Sequence, residues 1–169
     1  MTQPMRHAIT HPSFDSLSDR ATPVAPITAT GTARRVVALL GRALFGLVFV
    51  AAAPAHFSQL TIDHAMLHGV PLANILVPAA GLMAFVGGLC VMLGFRTKIG
   101  AGILVAFLVP VTLSMHDFWN VSEPALHAMQ HAMFMKNVAL IGGALLLAYF
   151  GAGPLSIDAR MALKTNKER

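Results

Sequence analysis

A chain of 169 residues with 11% charged and 56% hydrophobic residues falls outside the soluble class, where roughly 25% of residues are charged. Its length bounds it to one domain. The net charge of +5 does not describe a nucleic-acid face, because the basic residues are scattered over separate segments that flank apolar runs and form neither a stripe nor a helix face. The lone cysteine, Cys90, excludes an internal disulfide and a CxxC redox motif; it reads as a small apolar packing residue.

Residues 1–33 are rich in Thr, Ser, Pro and Ala without a sustained apolar period, which predicts a disordered tail. Four long apolar runs follow, at about 36–57, 72–95, 98–116 and 136–153. At about 1.5 Å per residue the second would extend about 36 Å, enough to cross the hydrocarbon core of a bilayer. The expected fold is therefore an all-α membrane protein, a four-transmembrane-helix bundle over 34–157, with a short basic tail at 158–169. The turn Arg96-Thr97-Lys98 is so short that spans two and three must be antiparallel neighbours. Pro78 and Pro110 interrupt the backbone hydrogen bonding of spans two and three and predict kinks. Ala84-x-x-x-Gly88 and Ala139-x-x-x-Gly143 have the spacing that lets membrane helices approach closely. Arg42, in the first turns of span one, reads as an interface anchor whose side chain snorkels to the headgroups.

The Lys and Arg residues are lopsided. Eleven of the twelve fall on one side of the spans: Arg6, Arg20, Arg34, Arg35, Arg42, Arg96, Lys98, Arg160, Lys164, Lys167 and Arg169. Only Lys136 falls on the other. The positive-inside rule then places both termini in the cytoplasm of a bacterial inner (cell) membrane protein, with 58–71 and 116–136 as outward-facing loops.

The unusual polar residues collect at that outward end. His56 closes span one, His64 and His68 follow, and His116-Asp117-Phe118-Trp119-Asn120 ends span three. His127, Gln130, His131 and Lys136-Asn137 lead into span four. Ionisable residues at a membrane edge are costly, and that makes them candidates for function. The i, i+4 pairs His64/His68 and His127/His131 have the spacing of helical metal ligands, and equally that of solvated loop histidines. Trp119 suits an interfacial aromatic belt. Asp117 and Lys136 lie at facing ends of neighbouring spans and predict a mutual ion pair.

The segment His116-Asp117-Phe118-Trp119-Asn120 with Gln130, Phe134, Lys136-Asn137 and Gly142-Gly143, together with Gly87-Gly88-Leu89 running through Gly94-Phe95 to Arg96-Thr97, resembles the DoxX family over about 34–158. Two positions depart from that pattern: Met83-Ala84-Phe85-Val86 lacks the acid often found before the paired glycines, and His56 stands where a lysine is often found. The resemblance implies a four-helix inner-membrane subunit of a respiratory or redox system linked to quinone. In that reading His116 and Asp117 exchange protons as catalytic groups, while Phe118, Trp119, Lys136 and Asn137 form a quinone edge or a structural network. No haem, flavin or iron–sulfur motif is present, so electrons would come from a partner oxidoreductase subunit or a soluble redox protein; a homo-oligomer is compatible with the same reading.

Two further readings stand beside it. In one, His56, His127 and His131, with His116, hold a metal or a haem. In the other, the chain is a non-catalytic membrane scaffold or assembly subunit whose polar outer end holds the bundle together.

Overall fold

A computed structural model describes residues 31–168; the expected tail at 1–33 lies almost entirely outside them. The described residues form six helices and no strands: α1 (Gly31–Ala52), α2 (Gln59–Leu67), α3 (Ala73–Leu93), α4 (Thr97–Met115), α5 (Pro124–Phe150) and α6 (Ile157–Lys167). α1 continues into a 3-10 turn at Ala53–Phe57, and a second such turn, Phe118–Asn120, follows α4. Four helical stretches are long and apolar enough to cross a membrane: Gly31–Phe57, Ala73–Leu93, Thr97–Asn120 and Pro124–Phe150. The chain is thus a multi-pass, all-helical membrane protein, as its apolar runs imply.

Three boundaries differ from the sequence reading, each because a capping side chain extends a helix beyond the apolar run. Glu123 accepts hydrogen bonds from the amides of Ala125 (3.0 Å) and Leu126 (2.5 Å), with Pro124 in the first helical turn, so α5 starts at Pro124 rather than near 136. Those bonds, first from Leu126 and then from Ala125, hold the Glu123 carboxyl below the usual carboxylate range. Ser58 accepts from the Thr61 amide and starts α2 inside the expected loop. Ser156 accepts from the Ala159 amide at 3.1 Å, making α6 of the expected basic tail.

α3 is the central helix and packs against α1 on one side and α4 on the other; α5 packs mainly along α4. These contacts depend on missing side chains. A Cβ on Gly46 would lie 2.5 Å from the Gly88 carbonyl oxygen, and one on Gly88 would lie 2.9 Å from that of Gly46, so α1 and α3 touch backbone to backbone. A Cβ on Gly100 would lie 2.5 Å from Cys90 Cβ at the α3–α4 crossing. With lipid on the outside, such close packing replaces the hydrophobic drive available in water. Phe49, Val91, Leu104, Phe107, Leu108 and Ala144 fill the resulting core, and Phe49 and Phe107 meet edge to face at 6.3 Å. Pro78 and Pro110 both sit inside continuous helices.

Arg42 is a correction. It does not snorkel to the interface but is only 3% exposed. Its guanidinium donates to the carbonyls of Ala152 and of Leu155 (2.6 Å), and more weakly to that of Met92 (3.5 Å). A buried cation needs such partners, and here they come from the end of α3 and the link between α5 and α6. Asp158 completes this end: its carboxylate accepts from the Arg96 amide at 2.7 Å and the Thr97 amide at 3.0 Å, capping α4, while its own amide donates to the Gly94 carbonyl at 2.9 Å. Burial would push that carboxyl up, but the Thr97 and Arg96 amides and the Arg42 charge together hold it below its usual value.

Candidate binding cavity at the histidine-rich end

At the opposite end of the bundle the helices separate and leave a cavity of about 470 Å³ bounded by α2, α3, α4 and the start of α5. That volume lies in the range of small-molecule sites. Its walls are mainly apolar, among them Val77, Ala80, Met83, Phe107, Val111 and Met115, and no Asp, Glu, Lys or Arg lines it. Its polar groups are His56, Thr61, His64, Ser114, His116 and Gln130.

The helices fix these groups through local bonds. His56 ends the first membrane span; its Nδ1 lies 3.3 Å from the Ala52 carbonyl, and its ring stands edge-on to Phe107 at 5.7 Å. Its place depends on Gly81, where a Cβ would come within 2.5 Å of His56 Cβ. His116 follows the last residue of α4, and its Nδ1 is 2.8 Å from Gln130 Oε1 on α5. Both acceptors are oxygens, so Nδ1 carries the proton in each ring, leaving Nε2 as an acceptor. Ser114 donates to the Pro110 carbonyl at 2.7 Å, and Thr61 Oγ1 is 2.9 Å from Ser58 Oγ. Pro110 has no N–H to give the Ala106 carbonyl, and Ala106 also lines the cavity.

The other expected site residues serve a different purpose. Phe118 is the centre of an aromatic cage, with ring centroids 4.8 Å from His131, 5.2 Å from Trp119, 5.4 Å from Phe134 and 5.5 Å from His127. His127, His131 and Phe134 lie on one face of α5, at i, i+4 and i+7. The two histidines spend that face on Phe118. His56, by contrast, belongs to the cavity wall, so the structure does not bring together the set proposed for a metal. Among the described residues no group of three or more His, Cys, Asp or Glu is arranged to hold one.

Asp117 accepts from Asn120 Nδ2 at 2.9 Å, and the Asn120 amide donates back to the Asp117 carbonyl at 2.9 Å. Lys136 Nζ lies 3.4 Å from Met133 Sδ. The expected Asp117–Lys136 ion pair is therefore replaced by two local contacts. α5 starts early, which makes Lys136 an exposed mid-helix residue instead of the start of a span. Asn137, its neighbour, is buried. His116 and Asp117 are adjacent yet engage different partners, while Phe118 and Trp119 are brought together. Sequence reasoning missed Thr61 and Ala106; Pro110, inside an apolar run, was the one signal that a backbone carbonyl would be left over there.

A sequence model described as the SURF4 family matches residues 21–163. Among individual proteins, the chain is 29% identical to the inner membrane protein YqjF of Escherichia coli over 71% of its own length and 88% of that protein. It is 26% identical to the E. coli inner membrane protein YphA over 77% of its length and 94% of that one. It is 27% identical to the yeast ER-derived vesicles protein ERV29 over 47% of its length and 25% of that protein. No solved structure matches the chain. The family match overturns the DoxX assignment, and with it the oxidoreductase association and the quinone-linked redox subunit. The segment that carried the resemblance, His116 to Asn120 with Gln130, Phe134 and Lys136, builds the aromatic cage and clasps of this end. Over most of its length the chain belongs to the SURF4 family.

Proposed function

We propose that the chain is a bacterial inner-membrane scaffold or assembly protein, with no chemistry of its own and with both termini in the cytoplasm. One observation carries this reading. Polar side chains of the histidine-rich end are engaged in clasps and local bonds of the fold: His116 on Gln130 between the end of α4 and α5, His127 and His131 on Phe118, and Asp117 on Asn120 within its own turn. An active site would instead pair a nucleophile or an acid with a base that orients it. The two E. coli relatives, both inner membrane proteins matched over most of their length, support the location. The eleven-to-one division of basic residues supports the orientation. ERV29, whose name ties it to ER-derived vesicles, supports a family place in membranes.

The surface that meets a partner is the outward part of α5, where Met129, Met133 and Met135 are exposed beside the aromatic cage. Flexible thioethers adapt to irregular apolar surfaces. A photoreactive residue at Met133 in native membranes is expected to give one defined protein adduct, absent when the same probe is placed at Tyr149 at the other end. Lipid adducts alone at both positions would refute the reading.

A further inference from the structure

The cavity itself has a chemistry that holding the bundle together does not require. Its histidine tautomers and its proline all bias it the same way. His56 and His116 donate through Nδ1 to fixed oxygens and are left with Nε2 acceptors. Ser114 donates to the backbone and keeps its lone pairs. Ala106, whose carbonyl has no donor from Pro110, lies on the same wall. Gln130, whose Oε1 is taken by His116, still has its amide N–H to give. A head group that fits must donate a hydrogen bond and can accept one. With no acidic or basic side chain on the walls, a charged head group would be desolvated without a counter-charge, which is costly. The remaining surface, about Val77, Ala80, Met83, Phe107 and Val111, suits an apolar body.

From this we infer that the cavity is a binding site for an uncharged amphiphile with a hydroxyl head, the hydroxyl donating to His116 or His56 and its chain lying against α3 and α4. This goes beyond the scaffold reading and can fail independently of it, since ligand binding needs no partner protein.

The test uses the full chain in nanodiscs at mildly alkaline pH, where imidazole is ordinarily uncharged. Three photoreactive probes share one ten-carbon chain and differ only in the head: decanol, decanoate and decylammonium. The decanol probe is expected to label peptides of α3 and α4 that face the cavity, and plain decanol is expected to compete. The charged probes should label there roughly tenfold less, because their heads are desolvated with no counter-charge on the walls. Ala80→Phe, which fills the cavity without removing a polar group, should lower decanol labelling roughly tenfold in protein that still elutes as a single species. If Ala80→Phe does not fold, Val111→Trp serves the same purpose. His116→Phe should reduce the preference for decanol over decanoate while leaving labelling by chain contact. Equal labelling by all three heads, or labelling unchanged in a folded cavity-filled variant, would show partition into the bilayer only and overturn the proposal.

Discussion

The two ends of the bundle keep their helices together in opposite ways. At the Arg42 end, a buried cation and a half-buried carboxylate reach across to backbone carbonyls and amides of three other segments, and a Cβ on Gly94 would meet Ser156 Cβ at 2.5 Å. At the histidine-rich end, side chains bond one neighbour each, aromatic edges meet aromatic faces, and about 470 Å³ lined by no Asp, Glu, Lys or Arg is left open among them. Charge inside apolar surroundings tolerates no slack, because an unpaired partner costs a large part of its desolvation. Neutral donors and acceptors tolerate it, and that is the condition for keeping space for a ligand. The first end is thus the frame, and the second is the end that keeps open space.

The largest expected effect breaks the frame. Arg42→Met removes the donor that three carbonyls share and leaves the buried Ala152 carbonyl unpaired. It should cost about 3 kcal/mol and lower the thermal midpoint of the detergent-purified protein more than any single change at the histidine-rich end. A loss no greater than that of Phe118→Ala would break the comparison.

A matched pair of substitutions sharpens it. Gly94→Ala places a Cβ against Ser156 at a residue with φ +68°, so strain adds to the clash, and about 2 kcal/mol should be lost. Gly81→Ala meets His56 Cβ at the same distance, but His56 borders the cavity and can give way. About 1 kcal/mol is expected there, read from the same midpoints.

Phe118→Ala tests the histidine-rich end directly. It removes four edge-to-face contacts at a half-buried site, for a loss of about 1.5 kcal/mol. Trp119 emission should shift to the red as its ring loses Phe118; an unchanged spectrum would deny the cage.

The smallest effect is set by pH. The Asp158 carboxyl is held below its usual value in the folded chain. Its contribution is therefore complete above the ordinary carboxylate range and is lost as pH falls through the folded-state value. Acid below the ordinary carboxylate range should loosen the α3–α4 turn and α6 before the rest, by about 1 kcal/mol after allowance for solvent screening. Asp158→Asn should remove most of that acid sensitivity, measured as exchange of the Arg96 and Thr97 amides.

How far the sequence revealed this depended on the range of the interaction. The spans were legible because burial in lipid is a property of each residue alone: runs of uncharged residues name them. The small-residue spacing of Ala84 and Gly88 likewise marked a contact that the α1–α3 crossing uses. Arg42 was not legible, because its partners are backbone carbonyls more than a hundred positions away, and a carbonyl leaves no mark in a sequence. The start of α5 was masked by its polar first turns: His127, Gln130, His131 and Phe134 have a helical period but do not belong to an apolar run. The aromatic cage and the cavity share one lesson. His116 to Asn120 announced that something polar gathers there, yet whether a histidine ends as a ligand, a clasp or an aromatic edge is decided by its neighbours in space.

Amide hydrogen exchange of the protein in nanodiscs tests the central claim most directly. Exchange should be slow at residues 94–97 and 158–159, whose amides are held by the Asp158 carboxylate, the Gly94 carbonyl, the Ser156 hydroxyl and the end of α3, and faster across α2 and the adjoining Val70, which wall the cavity with few buried contacts. Protection of α2 equal to or above that of the Arg42 end would contradict the account, because the cavity end would then be as firmly framed as the other.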